Sequence, residues 1–298
     1  MAQEIEAAAA DGAASFLRRK PKHALPVGSP CPNCSTALQG PWCHACGQSA
    51  EDFHRSLPRL AAEAVEGLFE LDGRLWRTLP NLLFRPARLT LDYLNGHRAP
   101  QAPPFRLFLI VVVLVFLAAG IGANQGQFHL GKPGAPPPTL HSDVFEDGGS
   151  PTGKAINAWL TSRANFALAH EDAFGNVLQT WAQRLAILAL PISAILLGLL
   201  FFWRRKVYMF DHLIFSMHSL SFQGLLLSTV LAAETVSGWF GALALASPIH
   251  LFVHLKGVYR LSTLGTLVRM LLLFVGSLIG FAVIMVGLVL IGLYEVGQ

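Results

Sequence analysis

Between Leu271 and Leu293 the chain carries no charged residue. A helix that is apolar on every face belongs in lipid or in a deep core, not on a solvated surface. A bilayer core about 30 Å thick is crossed by roughly 20 helical residues rising 1.5 Å each, so this stretch predicts a membrane span. Four more stretches read the same way. They are Phe105–Ala123, Leu185–Trp203 with Pro191 and Ser193 inside it, Leu213–Ala233, and the shorter Gly238–Leu255. Composition agrees: charged residues are 13% of the chain, against about 25% in soluble domains. That excludes a disordered chain and argues against a soluble globule. The expected fold class is an all-α integral membrane protein with about five transmembrane helices.

The cations then set an orientation. Of the Lys and Arg residues, only Lys132, Lys154, Arg163 and Arg184 fall on the far side of a five-span arrangement. The others precede the first span, follow the second, or lie between the fourth and fifth. The positive-inside rule places the N-terminus in the cytoplasm and the C-terminus outside. Trp181, Trp203, Trp239, Tyr259 and Tyr294 sit at the expected boundaries. Residues 1–30 contain no apolar signal-peptide core and read as a flexible tail. Its basic cluster, Leu17–Lys22, can touch anionic lipid or nucleic acid, but a solvated tail is the expected state.

All four cysteines lie within one short segment as two Cys-x-x-Cys turns: Cys31 and Cys34, then Cys43 and Cys46. Four thiolates at this spacing suit a tetrahedral Zn²⁺; an iron centre or a redox dithiol is the alternative. His44 lies inside the second turn as a weak substitute ligand, and Gly47 is placed to take a positive φ. A segment of this size, residues 31–48, builds no core of its own, so a metal is expected to hold it together. Four thiolates leave no open coordination position, which points to a structural zinc ribbon. Reduced thiolates need a reducing compartment, in agreement with the cytoplasmic placement from charge.

Residues 51–104 are expected to form cytoplasmic or interfacial amphipathic helices. Leu57, Leu60, Ala61, Ala64, Val65, Leu68 and Phe69 recur at helical spacing. Arg74 through Arg85 mixes Trp, Leu and Phe with arginines, which suits a helix in the bilayer interface or one packed on its cytoplasmic neighbours. Pro86, Gly96, Pro100 and Pro103-Pro104 break the chain before the membrane domain, residues 105–298.

Several short motifs here carry a resemblance. Cys46-Gly47-Gln48, Leu71-Asp72-Gly73 with Thr78-Leu79, Phe84-Arg85-Pro86, and Gly96-His97-Arg98 followed by prolines and Phe105-Arg106 together resemble a bacterial membrane family. It is catalogued as domain of unknown function 3667, an N-terminal zinc ribbon with C-terminal transmembrane helices. The likeness is most specific over residues 31–110. It continues more weakly through His212, His218-Ser219, Phe222 and Lys256–Tyr259, while the Ala-rich tail of residues 1–30 departs from it. The resemblance implies an architecture in the bacterial inner membrane and no activity.

Ionisable groups inside membrane segments are candidates for function. Asp211, His212 and His218 open the third span, and His250 and His254 close the fourth. If the two spans pack as neighbours, these five side chains converge as a second polar or metal site. Neutral histidines that simply hydrogen-bond neighbouring helices are the expected reading; a metal or proton site is the alternative, and a haem the remotest. Gly276 and Gly280, with Gly287 beyond, form a small-residue face on the fifth span. It serves close packing within the chain or a homo-oligomer. The external loop, residues 124–180, divides into a turn-rich part and an amphipathic helix around Ile156, Trp159, Leu160, Phe166 and Ala167.

No nucleotide loop, nucleophile elbow or zinc-protease motif appears. The expected function is a non-enzymatic membrane adaptor or scaffold module whose ribbon meets a cytoplasmic protein partner, with nucleic acid disfavoured. A small transporter, or a membrane redox or metal protein using the histidines, is the alternative.

Overall fold

The computed structural model describes residues 25–50, 73–124, 150–204, 207–234 and 238–295. The tail up to residue 24, the amphipathic run Leu57–Phe69 and the turn-rich part of the loop lie outside the described residues. Among the described residues the helices are α1 (Gly73–Phe84), α2 (Pro86–Leu94), α3 (Pro104–Asn124), α4 (Pro151–Ala169), α5 (Glu171–Ala186), α6 (Ala189–Leu200), α7 (Met209–Glu234), α8 (Ala246–Tyr259) and α9 (Thr263–Glu295). A 3₁₀ segment, Gly238–Leu245, leads into α8. No strand forms among them; the ribbon contributes two isolated bridges, Pro30 to Ala37 and Trp42 to Ser49. This is an all-α membrane protein.

Among the described residues, three helices are long and apolar enough to cross a bilayer: Met209–Ala233, Gly241–Tyr259 and Thr263–Glu295. Helix α5 from Ala173 and α6 make a fourth if they count as one span, with a bend of 46° between them. The straight span expected over residues 185–203 is therefore broken at Ile187-Leu188. Pro191 has no N–H to continue the ladder, and the joint closes by tighter bonds such as Leu190 N to Ile187 O at 3.3 Å. The first expected span is the helix α3, whose apolar part, Pro104–Gly120, is shorter than the others. Expected helix Ile156–Ala167 lies within α4, which opens on Ser150 capping Gly153 N at 2.9 Å, with Pro151 in its first turn.

Helix α7 is the hub, touching α1, α2, α3, α6, α8 and the 3₁₀ segment. Its buried Phe210, Ile214 and Met217 pack with Tyr93 of α2, Phe108 of α3 and Leu190 of α6. On another side Phe215 joins Leu197, Phe201, Leu255 and Tyr259. The spans α7 and α8 are consecutive in sequence, yet α2 makes the more extensive contacts with each of them. The α1–α2 hairpin is a wedge: Leu82 and Leu89 sit in one buried cluster with Leu107 and Phe222. Pro86 starts α2 where a missing N–H costs nothing.

Gly96 ends the wedge. Its φ of +93° is accessible to glycine, and it lets His97 N bond Asp92 O at 2.8 Å and Gly96 N bond Tyr93 O at 3.2 Å, a Schellman closure. The glycines at 276 and 280 are used within the chain. A Cβ at Gly276 would meet Leu196 at 3.0 Å and one at Gly280 would meet Ile192 at 3.2 Å. That face seats α6, and α9 instead turns an apolar surface including Phe274, Leu278 and Phe281 outward.

Candidate metal centre and buried histidine node

The ribbon is one turn used twice. Ser35 N bonds Cys31 O at 2.9 Å and Gly47 N bonds Cys43 O at 2.8 Å; Cys31 N reaches Thr36 O, and Cys43 N reaches Gln48 O. The residue after each second cysteine takes a positive φ, 61° at Ser35 and 72° at Gly47. The expected backbone at Gly47 is present. These turns aim the four sulfurs inward: Cys31 and Cys46 lie 3.7 Å apart, Cys34 and Cys43 3.5 Å apart, and all four fall within 4.8 Å of one another. A tetrahedral ion with bonds of about 2.3 Å to sulfur holds its ligands about 3.8 Å apart, so the donor set fits a metal ion. Cys31 and Cys43 are buried beside Leu38 and Ala50. The Thr36 hydroxyl beside the Cys34 sulfur holds its thiol down to about 6, whereas burial pushes Cys46 up to about 11. His44 is exposed and stands outside the four.

Gln48 joins the ribbon to the wedge. Its side chain is buried; Nε2 donates to Gly96 O at 2.8 Å, and Oε1 accepts from Arg98 N at 3.1 Å and Ala99 N at 3.0 Å. The approach is close enough that a Cβ at Gly96 would stand 2.9 Å from Pro32 Cβ. Arg98 continues the connection, donating from Nε to Tyr93 O at 3.1 Å with its guanidinium 4.7 Å above the Tyr93 ring. Thr78 fixes the other arm, donating to Arg74 O at 2.7 Å and accepting from Ala102 N at 2.8 Å.

The five membrane residues singled out from sequence divide into three groups. Asp211 caps the start of α7 by accepting from Tyr208 N at 2.9 Å. His212 pairs through Nδ1 with the Tyr259 hydroxyl at 2.8 Å and stacks with Phe201. His218, His250 and His254 gather separately, where α2 packs on α7 and α8, around a residue the sequence did not single out. Thr90 of α2 places its hydroxyl 2.9 Å from His218 Nδ1 and 2.8 Å from His254 Nε2. Both imidazoles are 0% exposed, as is Thr90. His250 Nε2 donates to Leu82 O at 2.8 Å, and its ring lies parallel to Phe222 at 3.5 Å. His254 stacks on Phe215 at 4.0 Å, and Tyr93 meets His218 edge-on.

Among the described residues, the cysteines are the group whose ligand atoms converge for a metal. In the node, by contrast, the ring nitrogens of His218 and His254 that face each other are occupied by Thr90. Gln48 and Tyr259 stand out in the sequence for a motif and a membrane boundary, not as partners of the site, and Thr90, between Arg88 and Asp92, carries no local signal that selects it.

A family model described as protein of unknown function (DUF3667) matches residues 72–116. The matched segment spans α1, α2 and most of α3, so it contains Thr90 and the loop that Gln48 grips. No curated protein and no solved structure matches the chain significantly.

Proposed function

We propose that this chain is a membrane-anchored, non-enzymatic adaptor whose zinc-held ribbon is a docking platform fixed to the membrane domain. The observation that carries the reading is the Gln48 clamp. A tethered ribbon on a loose linker needs no such contact, but three hydrogen bonds from one buried side chain hold this one in a set orientation. A closed set of four thiolates supplies structure and leaves no site for catalysis, and zinc is the ion that suits four such ligands best. Trp42, 64% exposed, projects from the outer knuckle as a contact for a protein partner.

The placement of cations supports a bacterial inner-membrane protein with the ribbon in the cytoplasm. The wedge supports an interfacial position for α1. Trp76, 75% exposed, and Phe84, 78% exposed, turn away from the bundle in a helix region that also carries Arg74, Arg77 and Arg85. Aromatic rings at the headgroup level with guanidinium groups on lipid phosphate match that composition.

The test is site-specific photocrosslinking in intact cells, with the photoreactive residue at Trp42 or at Trp76. The adaptor reading expects a discrete protein adduct from position 42 that disappears in a Cys43→Ser/Cys46→Ser variant, and lipid adducts from position 76. An adduct at position 42 that survives loss of the thiolates, or none at all, contradicts it. The buried histidine node favours a second reading, in which the membrane domain also handles a small cation.

A further inference from the structure

One hydroxyl of the wedge stands between two fully buried imidazoles, one from α7 and one from α8. Among the described residues the Thr90 hydroxyl bonds these two rings and no other acceptor, so its single proton goes to one ring and it accepts from the other. This leaves two arrangements. Thr90 donates to His218 Nδ1 while His254 donates from Nε2, and both rings carry their proton on Nε2. Otherwise His218 donates from Nδ1 and Thr90 donates to His254 Nε2, and both rings carry it on Nδ1. The rings share a tautomer in either case and can change it only together.

The nitrogens turned away from Thr90, His218 Nε2 and His254 Nδ1, are buried and have no hydrogen-bond partner among the described residues, as is also true of Nδ1 on the neighbouring His250. Histidines kept purely as packing glue would spend both nitrogens on neighbours, because an unsatisfied buried polar atom is costly. Here each ring is satisfied only on the side that faces the hydroxyl. The geometry points to a proton relay through His254, Thr90 and His218, a site whose ligand is a proton taken up at one outer nitrogen and released at the other, with water reaching these buried atoms only as the surrounding helices part.

The step balances without a redox partner. A hydronium ion delivers a proton to His254 Nδ1, making an imidazolium. The His254 Nε2–H bond breaks as Thr90 Oγ takes that proton, and the Thr90 O–H bond breaks as His218 Nδ1 takes the next. His218, now the imidazolium, releases its Nε2 proton to water. One proton has crossed the pair, the hydroxyl is restored, and both tautomers have switched. The next passage in the same direction requires the rings and hydroxyl to turn back, which sets its rate. The titratable side chains whose rings contact the pair are Tyr93 from α2, edge-on to His218, and His250 from α8, 5.8 Å from His254. Past His218, α7 continues with the buried hydroxyls of Ser219, Ser221 and Ser228 toward its other end.

The experiment is proton entry into liposomes that hold the purified full chain and a trapped pH dye, under an imposed pH gradient with valinomycin and K⁺. Three forms are compared: the native chain, Thr90→Val, which keeps shape and removes the hydroxyl, and Thr90→Ser, which keeps the hydroxyl. Size-exclusion profiles and melting temperatures show that each is folded. The relay expects native flux above protein-free liposomes, a loss of at least about tenfold in Thr90→Val, the size of change expected when a bridging proton carrier is removed, and near-native flux in Thr90→Ser. His218→Gln, which severs the relay without substituting a residue of α2, is expected to match Thr90→Val. Native flux equal to that of protein-free liposomes, or equal to that of Thr90→Val, overturns the proposal.

Discussion

Thr90 and His254 are 164 positions apart in the chain and 2.8 Å apart in the fold. The same hydroxyl contacts His218 on a third helix, so one short side chain on the wedge ties α7 to α8. Thr90→Val removes both bonds and leaves two buried ring nitrogens unpaired. The expected cost is about 1–3 kcal/mol, read as a lowered unfolding temperature in detergent, with Thr90→Ser close to native. An unchanged melting temperature in Thr90→Val would mean that the bridge contributes nothing to the fold.

The shared hydroxyl also makes a statement about protons. Nitrogen-15 spectra of histidine-labelled protein in lipid are expected to show His218 and His254 in the same tautomer. His250, which donates from Nε2 to a carbonyl, is expected as the Nε2–H form. Nε2–H on His218 with Nδ1–H on His254 would ask one hydroxyl proton to serve two nitrogens and would refute the bridge, whereas Nδ1–H on His218 with Nε2–H on His254 would make Thr90 a double acceptor and would refute the relay.

The spans were legible because a run such as Leu271–Leu293 needs no partner to be read; its composition alone excludes water. The metal site was legible for the same local reason, since four cysteines at two short spacings bring their own geometry. Other features depend on partners far away in sequence. Asp211 and His212 look like members of the His218 group by position, but successive helical residues point in different directions, and the structure assigns them to a cap and to Tyr259. The Trp, Leu, Phe and Arg residues of Arg74–Arg85 suit a helix in the interface or one packed on cytoplasmic neighbours, and composition does not choose between them. One face of the α1–α2 segment, with Leu82, Leu89 and Thr90, goes between α7 and α8, and no periodicity announces which helices will receive it. Pro191 was visible, whereas the bend it permits was not, because proline in a membrane helix is often absorbed without one.

Gln48 and Gly96 make the ribbon's position testable apart from its metal. Gln48→Ala deletes three hydrogen bonds but no ligand, so bound metal should stay at one ion per chain, while amide exchange at Arg98 and Ala99, whose N–H groups bond Gln48 Oε1, rises by at least about tenfold, the effect of about 1.4 kcal/mol. Gly96→Ala should do the same, because it forces a positive φ and a contact on Pro32. Loss of metal in Gln48→Ala would show that clamp and metal site are one unit.

Metal affinity should depend on pH with a definite sign. Before metal binds, Cys34 titrates at about 6 and Cys46 at about 11, so at pH 7 the first is a thiolate and the second still a thiol. Binding must displace at least the Cys46 proton, and affinity for Zn²⁺ should rise at least about tenfold per pH unit through the neutral range. As pH falls through about 6, Cys34 also takes up a proton and the dependence should steepen. Competition titrations against a chromophoric chelator check this; a flat profile between pH 6 and 8 would be incompatible with thiolate ligation at Cys46.

The account rests on a metal-held ribbon locked to the membrane domain, and one distance tests it most directly. Spin labels on non-natural residues at Trp42 of the ribbon and Leu264 at the start of α9 leave all four cysteines in place. Electron–electron resonance on the full chain in nanodiscs should give a single narrow distance with metal bound, and a broad distribution once a chelator strips it. A distribution that is broad from the outset, or one that stays narrow after the metal is gone, would contradict the central claim.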